Sequence, residues 1–406
     1  MRRFLSIIVS ALVALPQMFS YLHNGGPAPH VRDDGKCPNV FVGGLLAYGE
    51  QASAWYLVPT FGIYADVLRM LEAEGYECYV TSPGTFNSNW DRACNVYAEL
   101  TGSVVDYGEA HSKAHRHARY GWDFGGRPLL EDWGPDRPIN LFGHSLGGQT
   151  IYLLAGLMAE GSAEEQAATP EGELSPLFEG GHSNLIHSVT ALGGILNGTI
   201  AEPTFIGDWF YWVQLPFFCI GSNQVFQYTG LGDAANYIRT NDHSLYDLTP
   251  AGAAEMNHKI RTQEDIYYFA YTLCDTTPDA KGTLRMDKSK IPDFPPGPVL
   301  YLLGEWMGRG DVRHYGETID YPGGPVTIDE TWWPNDGAAN VAASKYPFGS
   351  PHKEFDAGKI ERGTWQAMPT MQGYNHGFFG GFDFGHSVAE LRDFYLAHLR
   401  ILDKTY

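Results

Sequence analysis

Residues 137–161 read RPINLFGHSLGGQTIYLLAGLMAEG. Ile139–Phe142 is a short apolar run of the kind that forms a strand buried on both faces, and Gly148–Ala159 is long and apolar enough for a buried helix. Between them, Gly143, His144, Ser145, Leu146 and Gly147 match the pattern G-x-S-x-G. A strand that passes straight into a helix through this pattern must turn sharply. The turn lifts Ser145 into an exposed, strained position at the carboxyl edge of a sheet, and the flanking glycines let strand and helix pass closely. The backbone N–H of Leu146 then faces the place where an oxyanion would develop, helped by the positive end of the helix. A bare five-residue motif arises by chance; the strand–motif–helix order makes this one a candidate nucleophile.

Working outward, the same rhythm repeats. CPNVFVGGLLAYGE, from Cys37, reads as a buried strand at Val40–Val42 that enters a glycine turn. Leu68, Leu71 and Tyr76 have helical spacing and precede a second strand near Tyr79–Thr81. NLIHSVTALGG (184–194) and PGPVLYLLGE (296–305) are further apolar runs bounded by glycine or proline, and are read as strands. Strands alternating with helices predict an α/β protein with a mostly parallel sheet covered on both faces. Two stretches break the rhythm. Residues 84–135 are polar, aromatic and His-rich, as an inserted subdomain would be, and residues 200–245 are dense in aromatics, as a lid or acyl-binding wall would be.

The 406 residues carry a formal net charge of −20, and 44% of them are hydrophobic. A surface that acidic repels nucleic acids and anionic membranes, so neither is an expected partner. Residues 1–28 have two arginines, an apolar run and then small polar residues, the build of a secretory signal peptide or an N-terminal anchor. An exported protein is therefore expected, with residues 29–406 as one catalytic domain. Cys37, Cys78, Cys94, Cys219 and Cys274 are odd in number and scattered, which is no disulfide framework and no metal motif.

A nucleophilic serine needs a base, and the base an orienting acid. In a strand–turn–helix arrangement of this type the acid and then the histidine follow the serine in the chain. Asp336 lies in an Asn-Asp-Gly loop, and two histidines, His376 and His386, follow it. His376 sits among Asn and Gly, where an imidazole can swing over a nucleophile, whereas His386 directly precedes the final helix; position favours His376. Separately, HSKAHRH at 111–117 brings three imidazoles within seven residues, which points to a metal. On a helix His111 and His115 would share a face and His117 would point away.

Taken together, NWDRACNVYAELTGSVVDYGEAHSKAHRHARYG, LFGHSLGGQT, LSPLFEGGHSNLIHSVTAL, LYDLTPAGAAEMN and NDGAANVAAS resemble the zinc-containing secreted lipases of thermophilic bacilli and staphylococci (family I.5) and their clostridial relatives. The resemblance runs from about residue 38 to 400. It implies an α/β-hydrolase fold and a triad of Ser145, Asp336 and His376. It also implies a zinc ion held by Asp91, His111, His117 and Asp247. Two His and two Asp would close a tetrahedral site, so this zinc would be structural. An irregular chain from His111 to His117 would then be required, with His115 outside the ligand set.

The chain also departs from the family. Gly43, Gly44 and Leu45 replace a His-Gly-Phe segment, so the implied oxyanion-hole donors are the N–H groups of Leu45 and Leu146. Phe378 stands where the family's calcium (Ca2+) site has an acid, although Asp383 survives, and GGILNGT (193–199) replaces a Thr-Pro-His segment. The leading expectation is a secreted serine hydrolase of carboxylic esters such as glycerides, with polyesters as an extension, working at an oil–water or polymer interface and needing no protein partner. Two other classes compete with it: a hydrolase whose zinc activates water, and a non-catalytic binding protein on the same fold.

Overall fold

Val40 and Val42 of the first strand, β1 (Asn39–Val42), point to one side and Phe41 to the other, and all three are fully buried. Each side therefore needs its own covering layer. The computed structural model describes residues 36–45, 65–84, 86–201, 236, 237, 239–291, 297–381, 383 and 385–406. The leader at 1–28, the aromatic residues 202–235 and Cys219 lie outside the described residues.

β1 pairs in parallel with β2 (Cys78–Thr81) on one edge and, on the other, with the strand before Ser145. In chain order, α1 (Ala65–Ala73) joins β1 to β2, and α2 (Asn89–Thr101) follows. The 84–135 region then contributes a small antiparallel pair, β3 (Val104–Asp106) and β4 (Tyr120–Asp123), with α3 (Glu109–His115) between them. β5 (Ile139–His144) runs into α4 (Leu146–Glu160), and α5 (Ala163–Ala168) precedes β6 (Ile186–Leu192). β7 (Tyr267–Tyr271), β8 (His352–Glu354) and β9 (Trp365–Ala367) complete a seven-stranded sheet in the order β8-β9-β7-β6-β5-β1-β2, every pairing parallel.

On the Val40 and Val42 side, the core takes in Leu141, Ile151, Leu154, Val189 and Trp365, with Val96 and Leu100 of α2. On the other side, Phe41 stacks on Phe142 with ring centroids 4.8 Å apart, packed against Leu71 of α1 and Tyr395 of the C-terminal helix. The chain leaves β1 toward β2 on one side and returns through β5 on the other. The carboxyl ends of β1 and β5 therefore border the crevice where strand order reverses, the usual place for a ligand site in an open α/β sheet.

One sequence expectation fails. The apolar run at 296–305 is not a strand: Gly297–Gly308 forms a helix, α6. Its buried positions Gly304, Glu305, Met307 and Gly308 have helical rather than alternating spacing. The run is also longer than a strand needs, and Pro298 fits a first helical turn, where its missing N–H costs nothing. The expected strands at Val40–Val42, Tyr79–Thr81 and within 184–194 all form. The last helix, α7 (Val388–Leu402), opens on a capping box of Ser387 and Glu390. Among the described residues, no helix is long and apolar enough to cross a membrane.

Candidate active site and metal centre

Ser145 sits between β5 and α4 with φ 59° and ψ −127°, a conformation that costs a non-glycine residue of order 1–3 kcal/mol. Its surroundings hold it there. Its N–H donates to the Leu192 carbonyl at 3.1 Å, and its own carbonyl accepts from Gly148 N at 3.0 Å. A Cβ on Gly147 would lie 2.2 Å from the Val42 carbonyl oxygen, so only glycine lets α4 cross β1 this closely. Ser145 is the residue before the helix, yet its side chain makes no capping bond to α4. Leu146 opens the helix, and Leu45 lies just past β1, one residue after Gly44, which packs against Ser145.

His376 and Asp336 arrive from distant loops. The His376 ring Nδ1 lies 2.8 Å from Asp336 Oδ2, and the His376 backbone N–H donates to the Asp336 carbonyl at 2.9 Å. Both residues are buried. The other Asp336 oxygen accepts from the N–H groups of Ala338 (3.0 Å) and Ala339 (2.7 Å). That carboxylate is thereby fixed as an acceptor, and the imidazole must present Nδ1–H to it. His376 Nε2 is buried and has no hydrogen-bond partner among the described residues. The sequence reading missed His144, the neighbour of Ser145. Its Nε2 lies 2.9 Å from the His376 carbonyl oxygen, and the two rings are 4.9 Å apart. Burial pushes His144 down to about 3, so it is neutral and serves as a donor to that carbonyl. The alternative base, His386, is engaged with Asp383 at 2.9 Å and stacks on Tyr374.

A second cluster lies where the 84–135 region meets Asp242. Asp91, His111, His117 and Asp242 each offer one ligand atom, all within 4.8 Å of one another. His111 Nε2 lies 3.3 Å from Asp91 Oδ1 and 3.4 Å from Asp242 Oδ1, and His117 Nε2 lies 3.2 Å from Asp242 Oδ2. These contacts lack hydrogen-bond alignment: Asp91 Oδ1, His111 Nε2, His117 Nε2 and Asp242 Oδ2 are all buried without a hydrogen-bond partner among the described residues. Four converging orphaned donors of this kind can hold a metal ion. The electrostatics agree. Burial works against charging His111, but Asp242 and Asp91 override it and push the imidazole up to about 10. Burial likewise opposes ionised Asp242, yet the facing imidazoles hold its carboxyl well below the usual range. The pocket therefore demands positive charge, which a cation would supply in place of the protons.

Local structure explains the pairing of His111 with His117. α3 ends at His115, and Arg116 adopts a left-handed conformation with φ 62°, which turns the chain back and brings His117 round. His117 Nδ1 lies 2.8 Å from the Ala118 carbonyl, so that nitrogen carries the proton and Nε2 presents its lone pair. Glu165 of α5, which is buried, accepts from the N–H groups of Ala110 (2.9 Å) and His111 (2.8 Å) and so fixes the start of α3. His115 stays outside the set, its ring 4.4 Å from that of His111.

The fourth carboxylate is Asp242, not the expected Asp247. The Asp247 side chain accepts from Asn89 N–H at 2.5 Å, capping the start of α2, and its backbone carbonyl accepts from Gln149 at 3.0 Å. Burial leads the causes that push Asp247 up to about 7. Both acids lie in the same short segment, NDHSLYD, and no local signal separates a ligand from a helix cap five residues on.

The model of a family described as lipase-like, C-terminal domain, matches residues 35–217 and 324–404. A lipase of Staphylococcus hyicus is 32% identical over 390 residues, which take in 89% of this chain and 56% of that protein. Lipase 1 of Staphylococcus aureus is 31% identical over 387 residues, covering 88% and 53%. The chain thus spans about half the length of these curated relatives. The crystal structure of the Staphylococcus hyicus lipase aligns with a TM-score of 0.75 at 28% identity, covering 93% of this chain and 99% of that one. EstA from Clostridium botulinum aligns at 0.72 and 27% identity, covering 97% of each chain.

Proposed function

This chain belongs to the family of lipase-like C-terminal domains, with the fold of the α/β-hydrolases, and from that premise we propose that it is a serine hydrolase of carboxylic esters. The observation that carries the reading is the buried His376–Asp336 pair at 2.8 Å, tied through His144 to the strained turn at Ser145. In this reading Ser145 Oγ attacks the ester carbonyl carbon and passes its proton to His376 Nε2. The protonated imidazole, oriented by Asp336, then gives that proton to the departing alcohol. The N–H groups of Leu45 and Leu146 stabilise the tetrahedral oxyanion. Water, deprotonated by the same imidazole, releases the acyl group and restores Ser145.

Apolar acyl esters such as glycerides are the proposed substrates, with polyesters as an extension. The names of the relatives and the aromatic composition of residues 200–245 support this.

Asp91, His111, His117 and Asp242 would hold a zinc ion. A tetrahedron with bonds of about 2.0–2.1 Å has edges of about 3.3 Å, and the His-to-Asp separations of 3.2–3.4 Å fit that edge. Bound there, the ion supplies a cross-link between the 84–135 region and Asp242. Four protein donors leave no position for reactive water, which favours a structural role.

The test is hydrolysis of p-nitrophenyl butyrate and palmitate by the wild type and Ser145→Ala. Loss of the nucleophile should cost roughly 10⁶-fold in kcat, as in serine-protease knockouts. Retained activity in Ser145→Ala would sink the serine reading, and the ratio of the two esters separates short-acyl from long-acyl preference.

A further inference from the structure

Arg92 is fully buried, and no predicted catalytic or metal role uses it. Its guanidinium reaches three separate elements. Nη2–H donates to the carbonyl of Gly43 past β1, Nη1–H to the carbonyl of Gly84 past β2, and Nε–H to Thr150 Oγ1 of α4 at 2.9 Å. The Thr150 hydroxyl in turn lies 2.7 Å from Asn89 Oδ1 and 3.2 Å from the Leu146 carbonyl oxygen. One planar fork therefore joins the loops that leave β1 and β2 to the second turn of the helix behind Ser145.

The Gly43 contact matters most. Gly43 and Gly44 have no side chains to fix their dihedrals, so the direction of the next N–H, that of Leu45, is set by what grips their peptide. Arg92 grips it from one side, and the close packing of Gly44 against Ser145 limits it from the other. We propose that Arg92 is a positioning residue for ester hydrolysis, which aims the Leu45 N–H at the developing oxyanion by holding the Gly43 carbonyl. This rests on the ester-hydrolase reading above. A lysine at this position would keep the charge but not the rigid fork, so it could not hold all three partners in the same geometry.

The test compares wild type, Arg92→Lys and Thr150→Val on p-nitrophenyl butyrate, with phenylboronic acid as a tetrahedral inhibitor. For folded Arg92→Lys, kcat should fall roughly ten- to a hundredfold, as for a misaimed oxyanion donor. KM should stay within about threefold, and the inhibition constant of the boronic acid should rise by the same factor as kcat falls. A lower melting temperature with unchanged kcat and unchanged boronic acid binding marks a purely structural residue and overturns the proposal. Should Arg92→Lys fail to fold, Thr150→Val decides. It frees one of the three anchors, and a loss of about three- to tenfold in kcat with matching weaker boronic acid binding is expected. No loss there overturns the proposal. The underlying reading fails separately: wild type inactive on esters, or Ser145→Ala as active as wild type, removes ester hydrolysis itself. Active wild type, dead Ser145→Ala and unaltered Arg92→Lys removes only the role of Arg92.

Discussion

A methyl group on Gly44 would lie 2.7 Å from Ser145 Cβ and 3.1 Å from its Oγ. No real Cβ tolerates the first of these contacts, so Gly44→Ala must push the β1 loop away from Ser145, the proposed nucleophile. Kcat on p-nitrophenyl butyrate should drop roughly a hundredfold, the usual scale for a misplacement near 1 Å, with little change in melting temperature. Activity near wild type would mean the loop yields without harm. At this scale the sequence disclosed a good deal. The strained turn at Ser145 was legible from its motif, and the pairing of Asp336 with His376 from the family resemblance, with which their order along the chain agreed. His144 and Arg92 were not legible. Apart from the Thr150 hydroxyl, their partners are the carbonyls of His376, Gly43 and Gly84, and a backbone carbonyl leaves no mark in a sequence. Asp242 was missed for a related reason: which of two nearby carboxylates turns inward is settled by folding, not by spacing.

His398 of α7 is fully buried and spans two neighbouring strands of the sheet. Its Nε2 lies 2.9 Å from Thr190 Oγ1 of β6, and its Nδ1 lies 2.9 Å from the Tyr271 hydroxyl of β7. His398→Leu strands both hydroxyls, which should cost about 1–3 kcal/mol in urea unfolding at pH 8. Burial also pushes His398 down to about 3. A histidine depressed in the folded state contributes its full stability above the unfolded value near 6.5 and loses it as pH falls below. Between pH 8 and 5.5 the wild type should therefore lose about 1.4 kcal/mol relative to His398→Leu, and a gap independent of pH would refute the neutral-histidine account. Elements were legible where a short apolar run met a glycine turn, as at β1, β5 and β6. They were not where an apolar run carried no clear period: residues 297–308 became a helix because packing, not alternation, chose their buried face. The left-handed turn at Arg116 was equally hidden, since arginine is not a residue that announces such a conformation.

Across the whole molecule, the parallel sheet followed from the alternation of strands and helices, but its order did not. That order sets the carboxyl ends of β1 and β5 side by side and so brings residues near 44 and 145 together. The proposed metal ligands span an even longer stretch of chain, from Asp91 to Asp242. Stripping the metal with 1,10-phenanthroline should lower the melting temperature by roughly 5–10 °C, as for a tightly held ligand that binds the folded state alone. Added Zn2+ should restore it, and a melting curve indifferent to both treatments would argue against any bound ion. The same span has a consequence for how the molecule is made. Asp91, His111 and His117 leave the ribosome before the Ser145 turn, and Asp242 leaves it after. A chain stalled short of residue 242 offers three donors and holds an ion weakly. Firm loading therefore waits until the strand, turn and helix around Ser145 have been synthesised. On the proposed roles of the cluster and of Ser145, a chain that keeps a metal is one in which translation has already passed through the nucleophile.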